Sequence, residues 1–242
     1  MSFLALHGFT QRGSMWGEVA ALVPGEWAAP DLPGHGGRPP CSWDEAVAWV
    51  GGLLGGAARP LCLAGYSMGG RLALAAALAH PGRVDRLALV SASAGIADPV
   101  ERERRRAEDA AMAGHIEDIG VGAFVDEWLA RPLFAGLEVR SPGWRMADRS
   151  ARMGSTPACL AGALRLLGQG AQPYLGDRLG GLPMPVLLVA GTGDPRYAAL
   201  AGEMAAGIPH ATVVLVPGAG HAVVGERPVD VATSLASWAK PA

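Results

Sequence analysis

The apolar positions of this chain fall into short unbroken runs rather than into an alternating pattern. Phe3-Leu4-Ala5-Leu6, Leu61-Cys62-Leu63-Ala64, Leu87-Ala88-Leu89-Val90, Val186-Leu187-Leu188-Val189-Ala190 and Thr212-Val213-Val214-Leu215-Val216 are such runs. A strand with one wet face alternates, whereas a strand covered on both faces does not. Between the runs lie stretches with helical spacing, at 16–22, 43–54, from Met68 to His80, at 196–206 and at 228–238. Ser42, with Glu45 three residues on, is a capping box that starts the second of these. Short covered strands separated by helices predict an α/β fold, a mostly parallel sheet with helices on both faces. The rhythm breaks between Ser93 and Gly181, where arginine-rich helical stretches replace strands and Trp128 and Trp144 sit in polar surroundings. This predicts a core formed by 1–93 and 181–242, with a helical lid inserted over 94–180.

Composition fits that picture. At 242 residues, half of them hydrophobic and 17% charged, the chain can bury a large core. The formal net charge of −2 provides no global field for nucleic acid or anionic membranes. An acidic ligand would need a local basic pocket. Cys41, Cys62 and Cys159 have neither metal-ligand nor CxxC spacing, which points to reduced thiols in a cytoplasmic protein. No apolar run approaches membrane-spanning length, and no signal segment precedes the first strand.

The chemistry centres on Gly65-Tyr66-Ser67-Met68-Gly69, which lies between a strand and a helix. Chance placement of this composition gives roughly 0.2 matches to Gly-x-Ser-x-Gly, so context must decide. Here the context is a strand–turn–helix, the setting of a nucleophile elbow. A serine hydroxyl needs an imidazole to take its proton and a carboxylate to hold that imidazole. Asp194 follows the fourth run through Gly191-Thr192-Gly193, and His221 follows the fifth through Pro217-Gly218-Ala219-Gly220. Asp177 and Asp230 follow no strand, and His210 precedes its strand, placing it at the opposite edge. The expected triad is therefore Ser67, Asp194 and His221. The backbone N–H groups of Met68 and Phe9 are the expected oxyanion donors.

Five stretches then carry a resemblance: His7-Gly8-Phe9, Asp31-Leu32-Pro33-Gly34-His35-Gly36, Gly65-Tyr66-Ser67-Met68-Gly69-Gly70, Gly191-Thr192-Gly193-Asp194 and Ala219-Gly220-His221. Together they resemble the α/β-hydrolase superfamily over nearly the whole chain. Arg71, the run Arg102-Glu103-Arg104-Arg105-Arg106, and the stretch Phe124-Val125-Asp126-Glu127-Trp128 before Arg131-Pro132-Leu133-Phe134 narrow it further. They resemble the 2-succinyl-6-hydroxy-2,4-cyclohexadiene-1-carboxylate synthases of menaquinone biosynthesis, which keep the hydrolase fold but act as lyases that eliminate pyruvate. The resemblance implies that Tyr66, Arg71, Arg105 and Trp128 hold the substrate, with Arg196 nearby. Guanidinium groups suit a substrate with several carboxylates because they bind carboxylates bidentately. The alternative for the run is a solvated helix face whose spacing pairs Glu101 with Arg105 and Arg104 with Glu108, and this is the expectation for Arg102, Arg104 and Arg106. The expected partner is a small polycarboxylate molecule, with no metal or organic cofactor and no nucleic acid or membrane, for a monomer or homodimer.

Two departures from the family pattern stand out. The strand pair that normally precedes His-Gly is missing, because only Met1 and Ser2 come before the first run. That leaves about six parallel strands, whose edge needs a short strand, a covering loop or a partner. Ala222-Val223-Val224 after His221 is more apolar than expected. Two rival readings use the same residues: a carboxylic ester or thioester hydrolase, and a binding protein on a hydrolase scaffold.

Overall fold

The computed structural model describes residues 1–239. Its strands are β1 (Ser2–Leu6), β2 (Glu26–Ala28), β3 (Leu61–Tyr66), β4 (Arg86–Val90), β5 (Val186–Gly191) and β6 (Ala211–Val216). They form one sheet in the order β2-β1-β3-β4-β5-β6, and every neighbouring pair is parallel. Register explains why the runs are unbroken. Leu4, Leu63, Leu87 and Val186 stand side by side across β1, β3, β4 and β5. The adjacent row, Ala5, Ala64, Ala88 and Leu187, points to the other face.

Each row meets its own helices. The leucine row packs with Val50 and Leu54 of α2 (Trp43–Gly56), Leu72 and Ala76 of α3 (Met68–Ala79), and Ala201 and Met204 of α7 (Pro195–Gly207). The alanine row packs with Val19 of α1 (Gly17–Leu22) and with Val231 and Leu235 of α9 (Pro228–Trp238). Small side chains in that row let these helices sit close to the sheet. Cys62 is fully buried there, and burial pushes its thiol up to about 12, so it behaves as a small core residue. The capping box at Ser42 forms as the sequence predicts, with Ser42 Oγ and N both bonded to Glu45.

Sequence pattern gave no clear sign of β2, a three-residue strand with a half-buried Trp27 between exposed neighbours. Trp27 stacks on Phe3 at 4.3 Å and donates its indole N–H to Val23 O. A short edge strand limits the unpaired backbone on offer at this side of the sheet.

Between β4 and β5 the chain leaves the sheet for α4 (Pro99–Leu129), α5 (Pro142–Arg152) and α6 (Pro157–Leu167). Asp98 caps α4, accepting from the N–H groups of Val100 and Glu101. The helix breaks at Gly120, whose φ of 79° is readily adopted by glycine. Ile116 and Phe124 of α4 pack with Leu160 and Leu164 of α6, and this cluster is continuous with the leucine side of the core. A short helix α8 (Val223–Glu226) precedes α9.

Candidate active site

The elbow is built by steric demand. Ser67 has φ 50° and ψ −111°, a strained backbone held between the end of β3 and the start of α3. A Cβ on Gly65 would overlap the carbonyl of Gly69, and one on Gly69 would overlap the carbonyls of Leu6 and His7. Only glycine lets α3 approach β1 and β3 this closely. The Ser67 N–H donates to Val90 O and the Gly69 N–H to His7 O, fixing the turn from both neighbouring strands.

His221 Nε2 lies 3.1 Å from Ser67 Oγ. On its other side, Asp194 Oδ2 accepts from His221 Nδ1 at 2.8 Å. The carboxylate thereby places the ring proton on Nδ1 and leaves the Nε2 lone pair for the serine proton. Asp194 Oδ1 accepts from the Tyr197 N–H, so Asp194 also caps α7. One side chain thus both caps a helix and holds the His221 ring. Glu226 brackets His221 by accepting from the N–H groups of Gly220 and Ala222, and Ser91 Oγ donates to His221 O. Ala222 packs under Phe134 and Leu137, and Val223 and Val224 are buried against the sheet. The apolar run after His221 thus fills space between core and insertion.

A cavity of about 290 Å³ opens onto Ser67. Phe9 and Met68 both line it, and neither uses its backbone N–H in a loop or turn hydrogen bond. Tyr66, Arg71, Arg105, Trp128 and Arg196 also line it, so every residue expected from the sequence reaches one cavity. Their states differ. Tyr66 is buried with its ring 5.6 Å from that of His221, and burial raises its hydroxyl pKa above the ordinary tyrosine value. Arg71 forms a deep wall rather than the mouth. It is 4% exposed and donates to Leu167 O, Gly168 O and Gln172 Oε1, and burial lowers it to about 10. It still carries its charge at neutral pH, and it has no carboxylate partner among the described residues. Trp128 packs edge-on against Phe9 at 5.4 Å, so it both lines the cavity and ties the insertion to the core.

The arginine run is paired differently from the helical-spacing expectation. Arg104 bonds Glu108 as expected, but Glu101 turns to Arg104 rather than to Arg105. Arg105 Nε instead donates to the buried Asp109, at 2.8 Å, and its Nη1 to Gln169. Gln169 in turn donates to the hydroxyl of Tyr197, whose ring lies 4.4 Å from His221.

Sequence reasoning missed Arg152 and Gln11. Arg152, at the end of α5, is 1% exposed, donates to Asp148 and Thr10 Oγ1, and leaves Nη2 without a partner. Gln11 Oε1 is likewise buried and unpartnered. Both line the cavity, as does Trp128, whose indole N–H is also buried without a partner, so three groups with unmet hydrogen-bonding capacity lie beside the candidate nucleophile.

Under the loop after β1, two buried histidines serve as neutral struts. His7 Nε2 accepts from the Leu32 N–H, His35 Nε2 accepts from the Thr10 N–H, and their rings meet at 4.9 Å. Burial lowers His7 to about 4, and burial with repulsion from His7 lowers His35 to about 3. The unfolded chain takes up these protons near pH 6.5 and the folded chain does not. Their stabilisation is therefore complete above pH 6.5 and is lost as pH falls towards 4 and then 3. Each histidine should cost about 1.4 kcal/mol per pH unit within that window. Urea midpoints should hold level from pH 8 to 7 and drop between pH 6 and 5, above the range where carboxylates titrate. A level midpoint down to pH 5 would contradict the neutral-strut assignment.

The sequence profile of the alpha/beta hydrolase family matches residues 3–234. The chain belongs to that family. The 2-succinyl-6-hydroxy-2,4-cyclohexadiene-1-carboxylate synthase of Serratia proteamaculans (strain 568) is 32% identical over 224 residues, covering 89% of this chain and 84% of that protein. A Bacillus subtilis (strain 168) protein provisionally given the same synthase name is 37% identical over 166 residues, which span 69% of this chain and 61% of that protein. The structure of MenH from S. aureus superposes with a TM-score of 0.91 at 27% identity, covering 99% of this chain and 95% of that one. This hydrolase-family chain thus shares its architecture with MenH and about a third of its aligned positions with the synthases. Among its described residues no helix is long and apolar enough to cross a membrane.

Proposed function

We propose that this chain eliminates pyruvate from 2-succinyl-5-enolpyruvyl-6-hydroxy-3-cyclohexene-1-carboxylate, the synthase step for which its relatives are named. The observation that carries the reading is the pairing of Ser67 and His221 with a cavity walled by Arg71, Arg105 and Arg152. A cleaved ester needs no such density of guanidinium groups, whereas a substrate with three carboxylates does.

The chemistry follows from the substrate's connectivity. The ring carbon bearing the succinyl carbonyl holds an acidified proton, and the ring double bond connects it electronically to the carbon bearing the enolpyruvyl oxygen. His221 takes the Ser67 proton, and Ser67 Oγ takes the ring proton. The carbonyl oxygen becomes an enolate held by the Phe9 and Met68 N–H groups. When the enolate collapses, the double bond shifts, the carbon–oxygen bond breaks and pyruvate leaves as its enolate. That enolate takes a proton at its methylene carbon, supplied by the His221 imidazolium, and becomes pyruvate, which restores the Ser67–His221 pair. Asp194 stabilises the imidazolium throughout. No water is added.

Pyruvate release, followed by coupled reduction to lactate, tests the reading. Arg71→Ala should lower kcat/KM by about a hundredfold, the loss expected for a buried charge-assisted contact. Arg71→Lys, which keeps the charge near Leu167 O, should recover part of it. Unchanged turnover in Arg71→Ala would sink the elimination reading. The same serine, histidine and N–H donors could also form an acyl-enzyme. Turnover of neutral p-nitrophenyl esters without pyruvate release would favour that hydrolase alternative.

A further inference from the structure

Five guanidinium groups line the cavity beside Ser67, those of Arg71, Arg105, Arg131, Arg152 and Arg196. Two have a carboxylate of their own, Arg105 through Asp109 and Arg152 through Asp148. Arg71 is packed among carbonyl oxygens. Arg131 has neither arrangement. Its hydrogen bonding among the described residues is a long contact from Nη2 to Met112 Sδ, at 3.8 Å. Yet the group is held in place, because its guanidinium lies 4.5 Å from the centre of the Trp128 ring. Trp128 is itself fixed against Phe9, Phe124 and Phe134.

Arg131 therefore presents a pre-oriented fork of free donors to the lid side of the cavity. Arg105 faces the same space and uses Nε and Nη1 on Asp109 and Gln169, which leaves Nη2 uncommitted. Burial and repulsion from Arg105 both push Arg131 below the usual arginine range. The nearby carboxylate, Glu127, is bonded to His115. Two guanidinium groups that line one cavity and repel each other, while the nearby carboxylates Asp109 and Glu127 are bonded to Arg105 and His115, are stabilised by an anion placed between them.

We propose that Arg105 and Arg131 form a second carboxylate subsite, on the lid side of the cavity, which grips a substrate carboxylate distant from the reacting carbon. This rests on the polycarboxylate reading above and adds a specificity-determining residue to it. Arg71 and Arg152 then serve the inner carboxylates, and the planar fork of Arg131 selects a flat two-oxygen group over a single-atom anion.

The test reads anion binding without requiring the elimination to occur. A fluorophosphonate probe labels Ser67, and tricarballylate, a three-carboxylate molecule, protects against labelling. Arg131→Gln should weaken protection by about fivefold to twentyfold, the range for a charge-assisted contact at a partly wet site. Arg131→Lys should recover less than half of it, because a point charge lacks the fork. Arg149→Gln, whose arginine pairs with Asp126 outside this cavity, should leave protection unchanged. Equal protection in wild type and Arg131→Gln, or none in wild type, overturns the subsite. Protection that depends on Arg131 in a protein that releases no pyruvate keeps the subsite and discards the elimination reading. Pyruvate release with the same KM in wild type and Arg131→Gln does the reverse.

Discussion

Replacing Ser67 with alanine should lower kcat for pyruvate release by at least about a thousandfold while moving Tm by no more than a few degrees. The two halves of this expectation have separate causes. The catalytic loss follows because Oγ is the atom that both meets His221 Nε2, at 3.1 Å, and faces the cavity. Without it, the imidazole has no relay to the ring proton. The small stability change follows because the strained φ of 50° is imposed by the surroundings and is similar in cost for either residue. The hydroxyl lost is part-buried, with His221 as its partner. Activity above a tenth of wild type would mean that His221 takes the substrate proton directly and that Ser67 is a bystander. The same variant should lose all fluorophosphonate labelling, which separates loss of the nucleophile from loss of substrate binding.

Gly69→Ala should be strongly destabilising, costing about 4 kcal/mol and lowering Tm by roughly 10 °C or more in a chain of this size. The added methyl would meet the carbonyl oxygens of Leu6 and His7 at the end of β1. Neither can yield, because His7 O accepts from the Gly69 N–H and Leu6 sits in the sheet. Gly52→Ala provides the contrast. That residue lies inside α2 with nothing near the new methyl, so the change should stabilise by about 1 kcal/mol through helix propensity. Thermal melts of the two variants should move in opposite directions. A Gly69→Ala protein with wild-type Tm would show that α3 can withdraw from β1, contrary to the packing described.

The sequence revealed the sheet because burial on both faces writes itself as unbroken apolar runs in β1, β3, β4 and β5, while β6 carries such a run although, at the sheet edge, its Val213 and Leu215 are exposed. The missing strand, β2, is too short and too exposed to carry such a signature. The candidate triad was legible for a related reason: each member stands just beyond a strand, at the edge where parallel sheets gather their ligands. The insertion was harder to read. Arg104 and Arg105 lie one residue apart on the same helix, yet one is a surface ion pair and the other faces the cavity, and Asp109 decides which. Arg152 and Gln11 could not have been singled out, because they reach the site through packing of α5 over the loop after β1. No local spacing encodes that approach. The kink at Gly120 is equally silent, since a glycine within a helical stretch reads as a tolerated flaw rather than as a left-handed turn.

The sheet topology has a consequence for how this protein assembles in time. β4 and β5 are hydrogen-bonded neighbours, but the whole insertion separates them along the chain. As the polypeptide is made, the elbow at Ser67 can form while β4 still shows an unpaired edge, and that edge waits for α4, α5 and α6 to be synthesised. Closing so long a loop adds little entropy cost per extra residue, but it slows the search and leaves an adhesive strand exposed meanwhile. His221 comes later still, on the loop after β6. In a refolding experiment, the return of catalysis should therefore lag behind the return of helix signal, and its rate would time the docking of β5 and β6 onto a nucleophile already in place.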